Sequence, residues 1–428
     1  MAACGHDFTA IVTEGGEVWA WGSGDSGVLG LGNNAHQLVP VKVGGHDVFG
    51  ARVVKVAAGP NHAASVAAGT LWTWGDGEYG QLGHGDLEPR QRSERLGREM
   101  FGGSPAVMVA CGCAHTVILT AAGLVWTCGN GERGKLGLGD EVDTLVLTLV
   151  GPDRFRGAPT PTIVMVAAGA EHSVAVGAEG GVWTWGYGGQ GRLGHNTGED
   201  RLEPTLLAGE ALGGSLTVLV AAGACHTVAV TREGALWVWD CGLAGQLGLG
   251  DTENRLVPVR VGAEEVFGGR VLMTACGNEH TLIVTTKGTL WTCGKGEYGT
   301  LGHTNEKTRL VPTQIEAHFF GDANIVSAAA GAFHSVVVTE QGALYTWSSG
   351  TQRKHMNHEA AGGLGHDDGE MKLTPTLVAP SHLQNARVGR CHDLQPPHAL
   401  AFAMGTHARL GRAAPTALSA QGMCDSYV

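Results

Sequence analysis

Apolar residues in this chain come in short runs, not in helical stripes. Arg52-Val53-Val54-Lys55-Val56-Ala57-Ala58, His62–Val66 and Thr70–Trp74 follow one another closely, bounded by Gly, Asn or Asp. β-Branched and aromatic runs of this length between turn residues predict strands. A further short strand follows a glycine-rich loop, most clearly in Val39-Pro40-Val41-Lys42-Val43 and Val257-Pro258-Val259-Arg260-Val261. Nowhere does helical periodicity persist over ten residues, and pieces such as Glu264–Phe267 suffice only for a single turn. Four short strands are therefore expected in each unit of sequence.

The unit recurs. Trp19–Gly32 (WAWGSGDSGVLGLG), Trp72–Gly85 (WTWGDGEYGQLGHG) and Trp126–Gly139 (WTCGNGERGKLGLG) are followed by Trp183–Asn196, Trp237–Gly250 and Trp291–Thr304. A seventh copy begins at Tyr345-Thr346-Trp347 and resumes at Gly363-Leu364-Gly365-His366 after an insertion. A second marker, G-x-x-H, places His62, His115, His172, His226, His280 and His334 at spacings of 53 to 57 residues. Two markers on one beat define a seven-fold repeat. Four strands repeated seven times predict an all-β fold, a seven-bladed β-propeller.

The ring should be closed by N- and C-terminal segments. Phe8–Thr13 aligns with the second strand of other copies, with no first strand expected before it. Asn385–Cys391 is the expected substitute, and His398–Met404 a degenerate competitor for the second strand. The propeller should span residues 1–404, with residues 350–361 as an inserted loop and 405–428 as a poorly ordered tail.

Composition sharpens this picture. Glycine makes up 70 of 428 residues, more than twice the usual share of about 7%. There is no collagen register, and 43% hydrophobic content with 11 tryptophans excludes a disordered linker. The glycines fall instead at fixed positions of the repeat, where tight turns need positive φ. A net charge of −12 argues against phosphate-backbone binding, so no nucleic-acid partner is expected. Residues 100–131 lack charge, but their glycines and Pro105 fit two strands and a turn better than a membrane span. The N-terminus has no signal-peptide pattern, so the cytoplasm is the expected location, with the nucleus as the alternative.

These motifs resemble the regulator of chromosome condensation (RCC1-type) repeat family, whose signature is G-x-x-H-[TS] followed by G-x-[LV]-W-[TA]-[WC]-G-x-G-x-x-G-x-L-G-x-G. The resemblance implies a seven-bladed propeller and leaves function open. Relatives include the exchange factor for the small GTPase Ran, the propellers of HERC-type ubiquitin ligases and the plant ultraviolet-B photoreceptor. They share the binding of other proteins through loops on a rigid ring. The photoreceptor's G-W-R-H motif is absent, its Trp position being filled by Pro60, Cys113, Ala170, Ala224, Asn278 or Ala332.

Several apparent sites dissolve once placed on the repeat. Five G-x-G-x-x-G loops continue as L-G-[LH]-G, whereas phosphate binding needs a helix N-terminus directly after the loop. The G-x-x-H histidines, one per blade, are expected to tie neighbouring loops together, and Phe8 replaces the first. His84, His195, His303 and His366 alternate with Leu31, Leu138 and Leu249, which suggests a packing position. Cys4, Cys111 and Cys276 take the place of alanines, and Cys128 and Cys293 that of Trp. They read as small buried hydrophobes in a reducing compartment. No metal, no cofactor and no catalytic residue is expected.

What remains is an interaction surface. Tyr79, Arg133 and Tyr298 stand between the glycines of the loop; Arg201, Arg255 and Arg309 precede the fourth strand on three blades. Tyr and Arg are common binding hot spots, although these arginines have Glu199, Glu253 and Glu306 nearby as local ion-pair partners. Arg353 and Lys354 lie in the inserted loop. The expectation is a monomeric, non-enzymatic scaffold for a protein partner from the ubiquitin pathway or, alternatively, an exchange factor for a small GTPase.

Overall fold

A computed structural model describes residues 1–44, 48–157, 161–262, 264–348 and 363–389. It contains seven four-stranded antiparallel sheets, each a meander of consecutive strands. In blade 2 these are Val53–Ala58, His62–Ala67, Thr70–Gly75 and Arg90–Leu96. Blades 3 to 6 occupy residues 106–150, 163–206, 217–260 and 271–314, and blade 7 ends with Lys372–Leu377. Single 3₁₀ turns interrupt the loops, including Glu264–Phe267.

The strand order explains the composition of each strand. The second strand lies between its own neighbours and between adjacent blades, so every residue of His115–Thr120 or His226–Thr231 is buried. Such strands read as continuous apolar runs. The fourth strand forms the rim, and Arg255–Arg260 buries only Pro258.

Closure differs from the sequence expectation. Ala2–Cys4 is itself a first strand, paired with Thr9–Ile11. Of the C-terminal segment, Arg387, Val388 and Gly389 join it among the described residues: the Glu14 N–H donates to the Arg387 carbonyl at 2.9 Å, Val388 bridges Thr13, and the Gly389 N–H donates to the Val12 carbonyl at 2.9 Å. Val388 N–H also donates to Gly342 O at 3.2 Å, as Val271 N–H does to Gly234 O at 3.1 Å. Val388 thus takes the opening position of a first strand that Met1 and Ala2–Cys4 complete, and the Met1 ammonium bonds the Gly389 carbonyl. The strand is spliced from both ends of the described chain. A three-residue strand of Ala, Ala and Cys carries too weak a β signal to be read from sequence. Residues 350–361, His398–Met404 and 405–428 lie outside the described residues.

A girdle of histidines joins the blades. His62 Nε2 meets the Thr116 hydroxyl of the next blade at 2.9 Å; His115–Ser173, His172–Thr227, His226–Thr281, His280–Ser335 and His334–Thr9 repeat the contact at 2.8–3.0 Å. Each hydroxyl also donates to a glycine-loop carbonyl, as Thr116 does to Gln81 O at 2.7 Å and Ser335 to Thr300 O at 2.9 Å. A hydroxyl has one proton to give, so the imidazole Nε2–H must donate to the hydroxyl oxygen. The second-position aromatics reach the same carbonyls: Trp239 Nε1 donates to Arg192 O at 3.0 Å, and Trp347 Nε1 to Thr300 O at 2.9 Å. Cys128 and Cys293, beyond filling space, direct their thiols to Gln81 O and Gln246 O at 3.4 and 3.6 Å.

The junction between blades 1 and 2 lacks this bond and loses both halves of it. Phe8 replaces the histidine and Ala63 replaces the hydroxyl, and the two belong to one apolar cluster. The glycine of G-x-x-H is required by the same packing. A Cβ on Gly169 would meet the His172 ring at 2.2 Å and Gly223 O at 2.6 Å.

Candidate partner-binding face

In an up-and-down meander, the turn between the first two strands and the loop between the last two emerge at the same end of the blade. Every G-x-x-H turn and every glycine loop therefore opens on one face of the ring. Tyr79, Arg133, Tyr298, Arg201, Arg255 and Arg309 all lie on this face, whereas Arg353 and Lys354 lie outside the described residues.

These residues do not form one site. Across blades 3 to 5, the Arg133 guanidinium sits 4.2 Å from the centre of the Tyr187 ring and that of Arg192 4.8 Å from it. Both distances are within the range of cation–π attraction. Arg133 remains 44% exposed, with Asp200 at 3.6 Å, and Arg192 is buried against Asp240 at 3.0 Å. Burial pushes the Asp240 carboxyl well above its usual range, opposed by the pull of Arg192. Beside this stack, the Lys135 ammonium bonds the Glu171 carboxylate.

Across blades 6, 7 and 1 runs an aromatic line. Tyr298 packs edge-on against Phe333 at 6.2 Å, and Phe333 against His6 at 5.5 Å. His6 in turn bonds Asp7 at 2.7 Å. Tyr298 and Arg133 hold the same loop position, and both adopt left-handed backbone at φ 61° and 59°. Non-glycine residues seldom hold this conformation unless the surroundings impose it. Tyr79, at the corresponding place in blade 2, is 42% exposed.

The fourth-strand arginines behave differently. Arg201 pairs with Glu199 at 3.0 Å, and Arg255 with Asp251 at 2.6 Å and Glu253 at 3.4 Å. Arg90 makes the same kind of local pair with Asp86 and Glu94, each at 2.7 Å. At Arg309 the arrangement changes: Glu306 accepts the Tyr298 N–H at 3.2 Å, and the Arg309 Nε is buried without a hydrogen-bond partner. Arg201 lines a shallow cavity of about 370 Å³ with Arg156, Glu203 and Thr205.

Burial holds the girdle histidines neutral, lowering His62, His226 and His280 to about 3 and His334 to about 4. They are structural ties, each locked to one hydroxyl. His84, His195, His303 and His366 do more than pack: each bonds a threonine of its own third strand at 2.9–3.0 Å, namely Thr73, Thr184, Thr292 and Thr346. Where leucine replaces histidine, Ala20 and Val238 replace threonine. Blade 3 breaks the rule, and Thr127 Oγ1 is buried beside Leu138 without a partner.

Sequence reasoning missed Tyr187, Arg192, Phe333 and the Cys225–Cys241 pair. Arg192 and Phe333 follow no shared residue type, and only their contacts reveal them. Tyr187 occupies the variable position after the third-strand glycine, where a comparison of loop residues could have found it. The five G-x-G-x-x-G loops lead into single turns such as Glu132–Gly134 and Glu297–Gly299, with no helix to face a phosphate. Among the described residues no cluster of three or more His, Cys, Asp or Glu is placed to hold a metal, and no helix is long and apolar enough to cross a membrane.

Comparison with known proteins agrees with this geometry. The RCC1-like domain model matches residues 1–218 and 103–394. The ultraviolet-B receptor UVR8 of Arabidopsis thaliana is 38% identical over 298 residues, covering 69% of this chain and 65% of the receptor. The E3 ubiquitin-protein ligase HERC2 of Homo sapiens is 31% identical over 95% of this chain, which spans only 8% of the ligase. Among solved structures, human WBSCR16 superposes with a TM-score of 0.69 at 27% identity over 78% of this chain and 85% of that one. Prp20p of Saccharomyces cerevisiae, studied for its binding to Gsp1p and histones, gives 0.71 at 23% identity over 86% and 87%, a likeness of fold. The chain belongs to the RCC1-like family.

Proposed function

Taking that membership as the premise, we propose that the propeller is a non-enzymatic scaffold that holds a protein partner against the face carrying its glycine loops. The observation that supports this most is the Arg133–Tyr187–Arg192 stack. It offers an aromatic ring and a half-exposed guanidinium on a rigid base, the residue types that dominate binding energy at protein interfaces. Because the girdle fixes the base, little ordering is needed when a partner docks. Arg201 and Arg255, already paired locally, contribute less, since exposed ion pairs are worth roughly 0–1 kcal/mol.

The partner we favour is a component of the ubiquitin pathway, supported by the alignment with HERC2 along 95% of this chain. We place the complex in the cytoplasm with a monomeric propeller, and assign no cofactor or nucleic acid to it. The alternative is nucleotide exchange on a small GTPase. Proximity labelling with wild-type protein and an Arg133→Ala/Tyr187→Ala double variant tests the reading. The expected result is a ubiquitin-pathway protein labelled by the wild type and lost in the variant. Unchanged labelling would overturn the choice of face, and stimulated nucleotide release from any GTPase of a purified panel would replace the scaffold by the exchange factor.

A further inference from the structure

Blade 5 departs from the repeat at one place. At the end of its third strand, where five blades have glycine at φ between 101° and 113°, it carries Asp240 at φ 90°. Asp240 is fully buried; its Oδ2 bonds Arg192, and its Oδ1 has no partner. The strand pair aligns His226 with Asp240, so the next residues, Cys225 and Cys241, face each other. The Cys241 N–H donates to the Cys225 carbonyl at 3.0 Å, and each thiol shifts the titration of the other. Both are free cysteines, Cys225 half-buried at the face and Cys241 just beneath it. Other blades place Asp7 and Ser23, Asn61 and Asp76, Ala114 and Asn130, Glu171 and Tyr187, or Glu279 and Lys295 here. Among the described residues blade 5 alone places two cysteines at these positions, with the buried Arg192 charge acting on both.

We infer that Cys225 and Cys241 form a redox-modifiable dithiol site that hydrogen peroxide converts to a cross-strand disulfide. Cys241 is the attacking sulfur. Interaction with the neighbouring Cys225 thiol holds its own thiol below the ordinary range, with Leu243 N–H, Gln246 and the Arg192 charge acting in the same direction. The thiolate attacks one peroxide oxygen; the O–O bond breaks, a sulfenic acid forms, and hydroxide leaves and takes up a proton as water. Cys225 sulfur then attacks the sulfenic sulfur, the S–S bond forms, and the displaced hydroxyl leaves with the Cys225 proton as a second water. Two thiols lose two electrons and one peroxide gains them. Cys225 and Cys241 lie one residue beyond the paired strands, and a bridge at this partly exposed place is open to reduction by dithiols, which suits a reversible modification. Cys111 and Cys276, raised by complete burial with no cation beside them, are the internal controls.

The site adjoins Tyr187 but does not depend on the binding role proposed for that face. The test is peptide mapping of the folded full chain after brief peroxide treatment, alkylation and trypsin digestion without reductant. Cleavage after Arg232 separates the two cysteines, so the expected product is peptide 202–232 joined to peptide 233–255, reverted by dithiothreitol. Cys225→Ser removes the resolving thiol, and dimedone should then label Cys241 at least about tenfold faster than Cys111. Finding both peptides alkylated as free thiols, or Cys241 no more reactive than Cys111 in Cys225→Ser, would overturn the proposal.

Discussion

At the inner ends of the second strands, six blade junctions use the same two groups, an imidazole and a hydroxyl, and the seventh replaces both with Phe8 and Ala63. On the face beside them, equivalent loop positions hold Tyr79, Arg133, Gln190 and Tyr298, the last three sharing a left-handed backbone and little else. The girdle is buried, so each change must be matched by its partner, because an unpaired buried polar group costs about 1–3 kcal/mol. The loop residues face water and carry no such constraint. Uniformity marks what holds the ring together, and variation marks what meets other molecules.

Acid should act on the girdle most, because it acts on all six histidines at once. Burial lowers His62, His226 and His280 to about 3 and His334 to about 4, and holds His115 and His172 well below the unfolded 6.5. Between those values the unfolded chain binds protons that the folded chain does not. Stability therefore falls as pH drops from 6.5 towards about 3, by at most about 1.4 kcal/mol per unit for each histidine, and the loss levels off below. Urea midpoints at pH 7, 5 and 4 should decline steadily; constant midpoints would refute a neutral girdle.

Next in size is Gly169→Ala, which drives a methyl group into the His172 ring and the Gly223 carbonyl. A loss of about 3 kcal/mol, the upper end for overpacking, is expected where backbone leaves no room to relax, measured by chemical denaturation. The apolar junction offers a thermodynamic cycle. Phe8→His alone buries an imidazole against Ala63 and should cost about 1–3 kcal/mol, whereas adding Ala63→Thr should recover most of it. Absence of coupling between the two changes would show that the paired replacement is coincidental.

A smaller gain is expected from Leu138→His, which supplies the missing partner of Thr127 Oγ1 and should stabilise by about 0.5–1.5 kcal/mol. Smallest of all, Arg133→Ala should shift stability by no more than about 0.5 kcal/mol, as for other exposed sites. A large destabilisation by that variant would erase the distinction between girdle and face.

The repeat period, the four-strand pattern and the identity of the girdle histidines were legible because each is a local signal renewed six or seven times. The alternation of His84-type residues with leucine was visible too, but its meaning was not. Histidine accompanies a threonine eleven residues earlier in three blades and twenty residues earlier, across the insertion, in blade 7, a pairing that neither position displays alone. The local ion pairs of Arg201 and Arg255 were foreseeable from acids two to four residues away.

The sequence by itself determined the all-β propeller, its seven blades and the turns that need glycine, since these follow from spacing, strand propensity and backbone sterics. The sequence also pointed to Asn385–Cys391 as the closing segment, and only tertiary structure decided that Met1 and Ala2–Cys4 share that strand with Val388 and Gly389. It alone brought Arg133 and Arg192 to the Tyr187 ring, and Cys225 to Cys241 under a buried arginine. Such contacts join different blades, or strands that pair across a turn. Their energies depend on burial and distance, which a repeat pattern does not encode.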